Sequence, residues 1–259
     1  MGDGGAFMIA VFGSVSGSPG VSVWSVLTAA LWATSDSAPE RVVVEADLDG
    51  GVMSARYQLD ASTDSLIAEA GRWQRRSRVD MSQFAVKVAD GAWLVPGPKT
   101  PESAGALWRT SDGVSSIAAM AAVDPRVWLF DVGRASQDGM LGPLFTQAAV
   151  SMLFVRGAAE ELARARRRVT LLKSTGAQVM VAVTGACDHP RGEVIEFLGT
   201  RHVQFLPDDG RLVEDSRRVW DGRKGRRREI WTAGAGFASA ISDVLEYSPR
   251  GVMRVAGVR

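Results

Sequence analysis

Short apolar runs alternate with longer stretches of helical periodicity along most of this chain. The apolar runs are rich in valine and phenylalanine, as is typical of strands that are buried on both faces. They lie at 7–12, 42–44, 127–130, 150–155, 179–183 and 203–206. The helical stretches begin at 21 or cover 64–76, 101–122, 158–173, 191–198 and 237–245.

This alternation predicts the fold class. Strands that alternate with helices of this length form βαβ units, so we expect an α/β fold with a mostly parallel sheet and helices on both faces, in three layers. Segment 83–98 departs from the rhythm, because its Asp90-Gly91 pair predicts a hairpin. Gly105 and Gly113 are candidate interruptions of the helix at 101–122.

Length and composition are those of one ordinary domain. Of the 259 residues, 46% are hydrophobic and 23% charged, and the net charge is +1, so no overall field favours nucleic acid or an anionic membrane. Cys187 is the only cysteine, which excludes an internal disulfide and a multi-cysteine metal site. No apolar run reaches the roughly 18 residues of a membrane span, and signal-peptide features are lacking. The sequence therefore predicts a cytoplasmic protein with one domain over 1–246 and a flexible tail over 247–259.

A run of small and turn-forming residues joins the first apolar run to the first helical stretch. It reads GSVSGSPG over 13–20. Phosphate-binding loops of the form G-x-x-x-x-G-K-[ST] occupy the same place between a strand and a helix. On that frame Gly20 takes the second glycine and Ser22 the hydroxyl position. Val21 replaces the lysine, and Val15 replaces the first glycine.

Two interpretations of this loop are open. In one, backbone N–H groups converge on a phosphate. These groups belong to Ser18, Gly20, Val21 and Ser22. In the other, the segment is an ordinary glycine-rich turn between a strand and a helix, stiffened by Pro19. The first lysine of the chain is Lys87, so no lysine in the first third of the sequence can replace the missing one.

Acidic residues follow two of the predicted strands. Asp47 and Asp49 come after the valine run, and Asp131 ends the run at 127–130. Carboxylates at the carboxyl edge of a parallel sheet, beside a phosphate loop, are typical holders of magnesium or of an attacking water. The alternative is that these aspartates cap helices and begin turns.

Three basic clusters and several aromatic residues have both structural and functional interpretations. We expect the cluster at 164–168 to be the solvated face of a helix. The last cluster, in a glycine-interrupted loop, could contact phosphate backbones or anionic lipid. The clusters are Arg72, Arg75, Arg76 and Arg78; Arg164, Arg166, Arg167 and Arg168; and Arg223, Lys224, Arg226, Arg227 and Arg228. Core positions are predicted for Trp24, Trp32, Trp93 and Trp128, and no metal site is expected at His189 or His202.

The order of these motifs resembles that of the ParA/MinD-like P-loop proteins. After the GSPGVS loop come VVVEADLDGG, VWLFDVG, SMLFVRGAAEELARARR, VMVAVTG and FLPDDGR. The chain most resembles the divergent MinD-like proteins of high-GC Gram-positive bacteria, which are related to localisation factors of Tad-type pilus and secretion loci. The resemblance covers about 7–245 and implies the P-loop NTPase fold.

The resemblance also implies roles for individual residues. Relatives carry two lysines in a deviant Walker A motif, and the matching positions here are Ser16 and Val21, so both lysines are replaced. The switch aspartate that activates the hydrolytic water matches Asp47, and the Walker B aspartate matches Asp131. Where relatives have a proline-containing switch after Walker B, this chain has 132–134, which reads VGR.

The binding residues implied by the resemblance form two sets. The nucleotide would contact Gly17, Ser18, Pro19, Gly20, Val21, Ser22, Val23, Pro207 and Asp208, with Asp209 in the same segment beside the adenine. Magnesium, if a nucleotide binds, would be held by Ser22 and Asp131. ATP with magnesium is the expected cofactor, and a chain without a cofactor is the open alternative.

Three functions follow as hypotheses. The leading one is a degenerate ParA/MinD-like scaffold, positioning or regulatory factor, with little or no hydrolysis, for a secretion, pilus or cell-division assembly. It would bind a protein partner, with a homodimer and peripheral recruitment to a membrane or pole left open. The second is an active dimerising ATPase in which Arg134 or a partner's arginine supplies the missing charge. The third is a partition-type protein that binds DNA non-specifically through the cluster at 223–228.

Overall fold

Eight β-strands form a single sheet in the part of the chain that the structure describes. This computed structural model describes residues 8–17, 20–32, 38–59, 63–72, 79–109, 111–135, 139–207, 212–220 and 228–246. In chain order the strands are β1 (Met8–Ser14), β2 (Arg41–Glu45), β3 (Val86–Ala89), β4 (Ala92–Val95), β5 (Val127–Arg134), β6 (Val150–Arg156), β7 (Gln178–Thr184) and β8 (Val203–Leu206). Their order across the sheet is β3-β4-β2-β5-β1-β6-β7-β8.

The sheet is parallel except at one edge. Only β3 runs antiparallel, to β4, and the two form the hairpin predicted at Asp90-Gly91. β1 lies between β5 and β6 and pairs in parallel with both. The chain leaves β1 toward β2 on one side and later reaches β6 on the other, so the carboxyl end of β1 is a topological switch point, where open sheets of this type bind ligands.

The helices in the described ranges cover both faces of the sheet. They are α1 (Val21–Ala30), α2 (Met53–Tyr57), α3 (Thr63–Arg72), α4 (Pro101–Arg109), α5 (Ser111–Ala121), α6 (Gly142–Gln147), α7 (Ala159–Lys173), α8 (Arg191–Leu198), α9 (Leu212–Trp220) and α10 (Arg228–Glu246), with a 3₁₀ turn at Met81–Gln83.

Two hydrophobic cores flank the sheet, because the side chains of each strand alternate between its faces. In β1, Ile9 and Val11 pack into one core, and Ala10 and Phe12 pack into the other. The first core also takes residues of α3, α5, α7 and α8, and the second takes residues of α1 and α10. These three layers confirm the predicted α/β fold class.

A cluster of aromatic rings anchors the helix that follows the glycine-rich loop. Trp24 of α1 meets Phe237 of α10 edge to face, with ring centroids 6.1 Å apart. Phe237 also lies 6.2 Å from Phe12 and 5.9 Å from Phe154, both on strands beside the loop. Large buried aromatic side chains contribute much of the core energy. The start of α1 is therefore held rigidly over the sheet.

The structure corrects several boundaries. The stretch predicted as a helix at 101–122 contains α4 and α5, with Thr110 between them outside the described residues, and Gly105 and Gly113 lie inside these helices. β5 continues to Arg134, so Asp131 lies within the strand and does not end it. Helices α2, α6 and α9 were not predicted, because each is short or flanked by turn-forming residues. Of the stretch predicted at 64–76, residues 73–76 lie outside the described ranges.

The tryptophan predictions are largely correct. Trp24, Trp32 and Trp128 are buried, whereas Trp93 on β4 is only partly buried.

Candidate functional site

The glycine-rich loop leads into an uncapped helix N-terminus. Gly20 has φ 83°, a left-handed conformation that glycine adopts without strain. The N-cap residue, Gly20, has no side chain that could accept a hydrogen bond from the first amides of α1. The first turn of α1 carries no acidic residue. Those amides and the helix dipole are thus available to an anion.

A cavity of about 460 Å³ opens at this helix N-terminus. That volume is within the range of small-molecule sites. Among the residues predicted to bind or act, the cavity is lined by Gly17, Gly20, Val21, Ser22, Val23 and Asp47. Leu212 and Val213 of α9 add an apolar part to the wall. The structure therefore brings the predicted loop and the predicted switch aspartate to one cavity.

Asp131 lies under this cavity with no exposed surface. Its Oδ1 accepts the Gly133 N–H at 3.0 Å, and its Oδ2 has no hydrogen-bond partner among the described residues. Burial raises the pKa of Asp131 to about 7, although the Ser22 hydroxyl and the Gly133 N–H favour the charged form and lower the pKa. The carboxylates of Glu45 and Asp47 raise it further. An unpartnered buried carboxyl oxygen close to Ser22 suits a cation or its water shell.

Asp47 follows β2 and approaches Gly133 very closely. Its Oδ1 accepts the Asp49 N–H at 2.9 Å, and burial raises its pKa. A Cβ atom placed on Gly133 would lie 2.3 Å from the Asp47 Cγ, and Gly133 has φ +62°. Only glycine permits this approach. The sequence analysis had named Gly133 only within 132–134, the segment that the resemblance matches to a proline-containing switch.

Gly133→Ala is expected to lower the free energy of unfolding by about 2 kcal/mol, because the methyl group overlaps the Asp47 carboxyl and the backbone is left-handed. Urea unfolding measures this change. Gly192→Ala is the matched control, since nothing lies within 4 Å of its added methyl group and the residue is in α8. Equal stability of the two variants would contradict the close packing at Gly133.

Glu45 is a further buried carboxylate, and the sequence did not indicate its role. Its Oε1 accepts the N–H groups of Val52 at 2.7 Å and of Met53 at 3.0 Å, and its Oε2 accepts that of Gly97 at 2.9 Å. It therefore ties the start of α2 and the segment after β4 to the end of β2. Two glycines beside it, Gly51 and Gly97, leave no room for a Cβ.

Ser16, which the sequence resemblance matches to a lysine, is engaged by another part of the chain. The Ser16 hydroxyl donates a 2.5 Å hydrogen bond to Oε2 of Glu161 in the first turn of α7. Oε1 of Glu161 also accepts from Arg164 at 3.3 Å. This hydrogen bond joins the loop to α7. The serine side chain carries no charge, so Ser16 does not supply the positive charge of a lysine.

Some predicted site residues lie elsewhere or outside the described ranges. Pro207 follows β8 and is not among the described residues that line the cavity. Ser18, Pro19, Asp208 and Asp209 lie outside the described ranges, as do Arg75, Arg76, Arg78 and the side chains of Arg72, Arg223, Lys224, Arg226, Arg227 and Arg228. On α7, the side chains of Arg164, Arg166 and Arg167 are exposed, as expected for a solvated face.

The described residues contain no group of three His, Cys, Asp or Glu side chains that could hold a metal ion. In the same part of the chain, no helix has both the length and the apolar character to cross a membrane.

Comparison with known proteins identifies the fold. No protein-family model and no curated protein sequence matches the chain. Among solved structures, a ParA family ATPase from Chlorobium tepidum is similar, with 16% identity, a TM-score of 0.71 and coverage of 90% of this chain and 99% of that one. The Aquifex aeolicus MinC:MinD cell division complex gives 16% identity, a TM-score of 0.61 and coverage of 90% and 96%. The septum site-determining protein MinD of Pyrococcus horikoshii, complexed with Mg-ADP, is also similar. The identity is 16%, the TM-score is 0.61, and the match covers 97% of this chain and 98% of that one.

The chain thus has a P-loop NTPase fold. More narrowly, the chain has the fold of the ParA and MinD ATPases over nearly its whole length.

Proposed function

We propose that this chain is a ParA/MinD-like protein of the divergent MinD-like branch found in high-GC Gram-positive bacteria. It binds a magnesium nucleotide at the loop 13–20 and hydrolyses it very slowly or not at all. It serves as a scaffold, positioning or regulatory factor for a larger assembly of the secretion, pilus or cell-division type.

The observation that carries this proposal is Asp131. Its buried Oδ2 lacks a partner in the described part of the chain, and it lies behind Ser22 at an uncapped helix N-terminus. The residues present fit a magnesium nucleotide. The Ser22 hydroxyl would bind the ion, Asp131 would hold a water of its shell, and the amides of Val21 and Ser22 would meet phosphate oxygens. The ion would neutralise phosphate charge.

The absence of a loop lysine argues against efficient hydrolysis. Val21 is only 6% exposed and packs into the core with Trp24, so this position offers no charge. Phosphoryl transfer depends on positive charge placed at the transferred group. The Ser16 hydroxyl binds Glu161, so the second lysine position does not supply it either.

The partner proposal comes from the structural neighbours. One of them is a MinD bound to MinC in a cell division complex. We infer that this chain likewise acts through a bound protein, in the cytoplasm or recruited to a membrane or pole.

One observation favours the active-ATPase alternative. Arg134 lines the cavity together with Asp47, where its charge could support hydrolysis. In that case turnover rises steeply with protein concentration if a dimer is needed, and Arg134→Ala abolishes it.

Calorimetric titration with Mg-ATP and Mg-ADP tests the proposal. We expect saturable binding without robust turnover, and Ser22→Ala is expected to weaken binding by about tenfold because a ligand of the ion is lost. The matched control is Ser174→Ala, an exposed serine at the end of α7. No binding at millimolar nucleotide would overturn the nucleotide site, and robust magnesium-dependent turnover would overturn the non-hydrolysing role.

A further inference from the structure

Three arginines line the cavity from three separate elements. Arg56 lies on α2, Arg134 ends β5 and Arg156 ends β6. The carboxylates among the described lining residues are Asp47 and Asp49, and no lysine lines this cavity in the described ranges. Among the described lining residues, positive side chains thus outnumber negative ones, although the loop has no lysine.

Arg156 differs from Arg134 in its contacts. Its side chain is exposed, and no described carboxylate lies within ion-pair distance of its guanidinium. Arg134, in contrast, lies 3.9 Å from the Asp49 carboxylate. Glu161, at the start of the helix that follows Arg156, is engaged by Ser16 and Arg164. Arg156 is therefore available to an anion.

The strand register places Arg156 beside the loop. β1 and β6 pair in parallel, with Ser14 opposite Phe154, and the Val15 N–H donates to the Phe154 carbonyl at 3.1 Å. Arg156 ends β6 two residues after Phe154, and Ser16 lies two residues after Ser14, the last residue of β1. Ser16 is the position at which the relatives carry one of their two lysines.

We propose that Arg156 is a phosphate-binding residue that supplies, from β6, the positive charge that the loop lacks. The ligand class is a polyphosphate anion, either the phosphate chain of a nucleotide or a free polyphosphate. A guanidinium can bind two phosphate oxygens at once, and the α1 amides add donors from the other side. The inference rests on the proposed function, which places the ligand at the loop 13–20.

The test compares Mg-ATP and inorganic tripolyphosphate by calorimetry. Arg156→Ala is expected to weaken the binding of both by about tenfold, because a charge-assisted contact is lost, and Arg156→Lys is expected to keep most of the affinity. Arg167→Ala removes an equally exposed charge from α7 outside the cavity and is expected to change affinity less than twofold. Thermal unfolding confirms that each variant is folded.

A neutral variant separates charge from structure. Arg156→Gln keeps a polar side chain of similar length without the charge, so it is expected to lose about as much affinity as Arg156→Ala. Wild-type affinity in Arg156→Gln would overturn charge replacement by Arg156.

The remaining outcomes distinguish this inference from the proposed function. If Mg-ATP binds and Arg156→Ala binds it as well as the wild type, the inference is wrong and the nucleotide site stands. If only tripolyphosphate binds and Arg156→Ala weakens it, the inference stands and the nucleotide site is wrong. If neither ligand binds, both are wrong.

Discussion

Asp131→Asn is expected to stabilise the ligand-free protein by on the order of 2 to 4 kcal/mol above pH 7. Asp131 has no exposed surface, and burial raises its pKa from 3.8 to about 7. The folded protein therefore binds a proton more tightly than the unfolded chain does. Ionisation of Asp131 lowers stability as pH rises from about 4 to about 7, and the loss is complete above that range. The asparagine side chain has the same shape but does not ionise, so the variant avoids this loss of stability. Its amide oxygen can still accept the Gly133 N–H.

Urea unfolding of wild type and variant across pH 4 to 8 measures the effect. The stability difference should be small near pH 4, where the folded carboxyl is protonated and the unfolded one is about half ionised, and it should grow toward pH 7. Asp188→Asn, at an exposed carboxylate, is the control and should change stability by less than about 0.5 kcal/mol. A difference independent of pH, or a less stable Asp131→Asn protein, would contradict this account.

The same substitution should weaken the binding of a magnesium nucleotide. A neutral amide holds the water shell of the ion less well than a carboxylate does. Stability gained without ligand, together with affinity lost, would mark Asp131 as a functional residue, because sites often retain groups that destabilise the fold.

Glu45→Ala is expected to lower the free energy of unfolding by about 2 to 5 kcal/mol. The carboxylate accepts N–H groups of Val52, Met53 and Gly97, and the amides of Met53 and Gly97 are buried. A buried donor left without a partner costs about 1 to 3 kcal/mol. Chemical denaturation measures the loss.

The design of the Glu45 experiment includes two comparisons. Glu45→Gln keeps one acceptor oxygen and should lie between alanine and wild type. Glu196→Ala removes an exposed carboxylate at the end of α8 and should change stability by less than about 0.5 kcal/mol. Wild-type stability in Glu45→Ala would show that the three amides find other partners. A weakened ligand affinity is also expected, because Asp47 lies two residues after Glu45 and depends on the same turn.

Much of the fold was predictable from local patterns. The valine run of β2 and the runs at β6 and β7 are continuous because both of their faces are buried, and such runs indicate strands directly. The Asp90-Gly91 turn likewise predicted its hairpin. The short α2 escaped prediction because five residues do not establish a helical period.

The candidate site was only half predictable. The loop and the aspartates at 47 and 131 were visible, because their residue types and their places after strands are local features. The role of Glu45 and the requirement for glycine at 133 could not be predicted, because both depend on which segments the sheet brings together.

Local sequence thus settled the strands, most helices and the presence of Val21 where the phosphate-loop pattern has lysine, since each depends on side-chain type and spacing along the chain. Tertiary structure decided the contacts that make a cavity from these parts. Ser14 bonds to the Gly133 carbonyl across 119 residues, and Ser16 bonds to Glu161 across 145. Arg156 likewise lines the same cavity as the loop because β6 pairs with β1. Such contacts follow from strand order and register, which packing of the whole chain sets and no local period encodes.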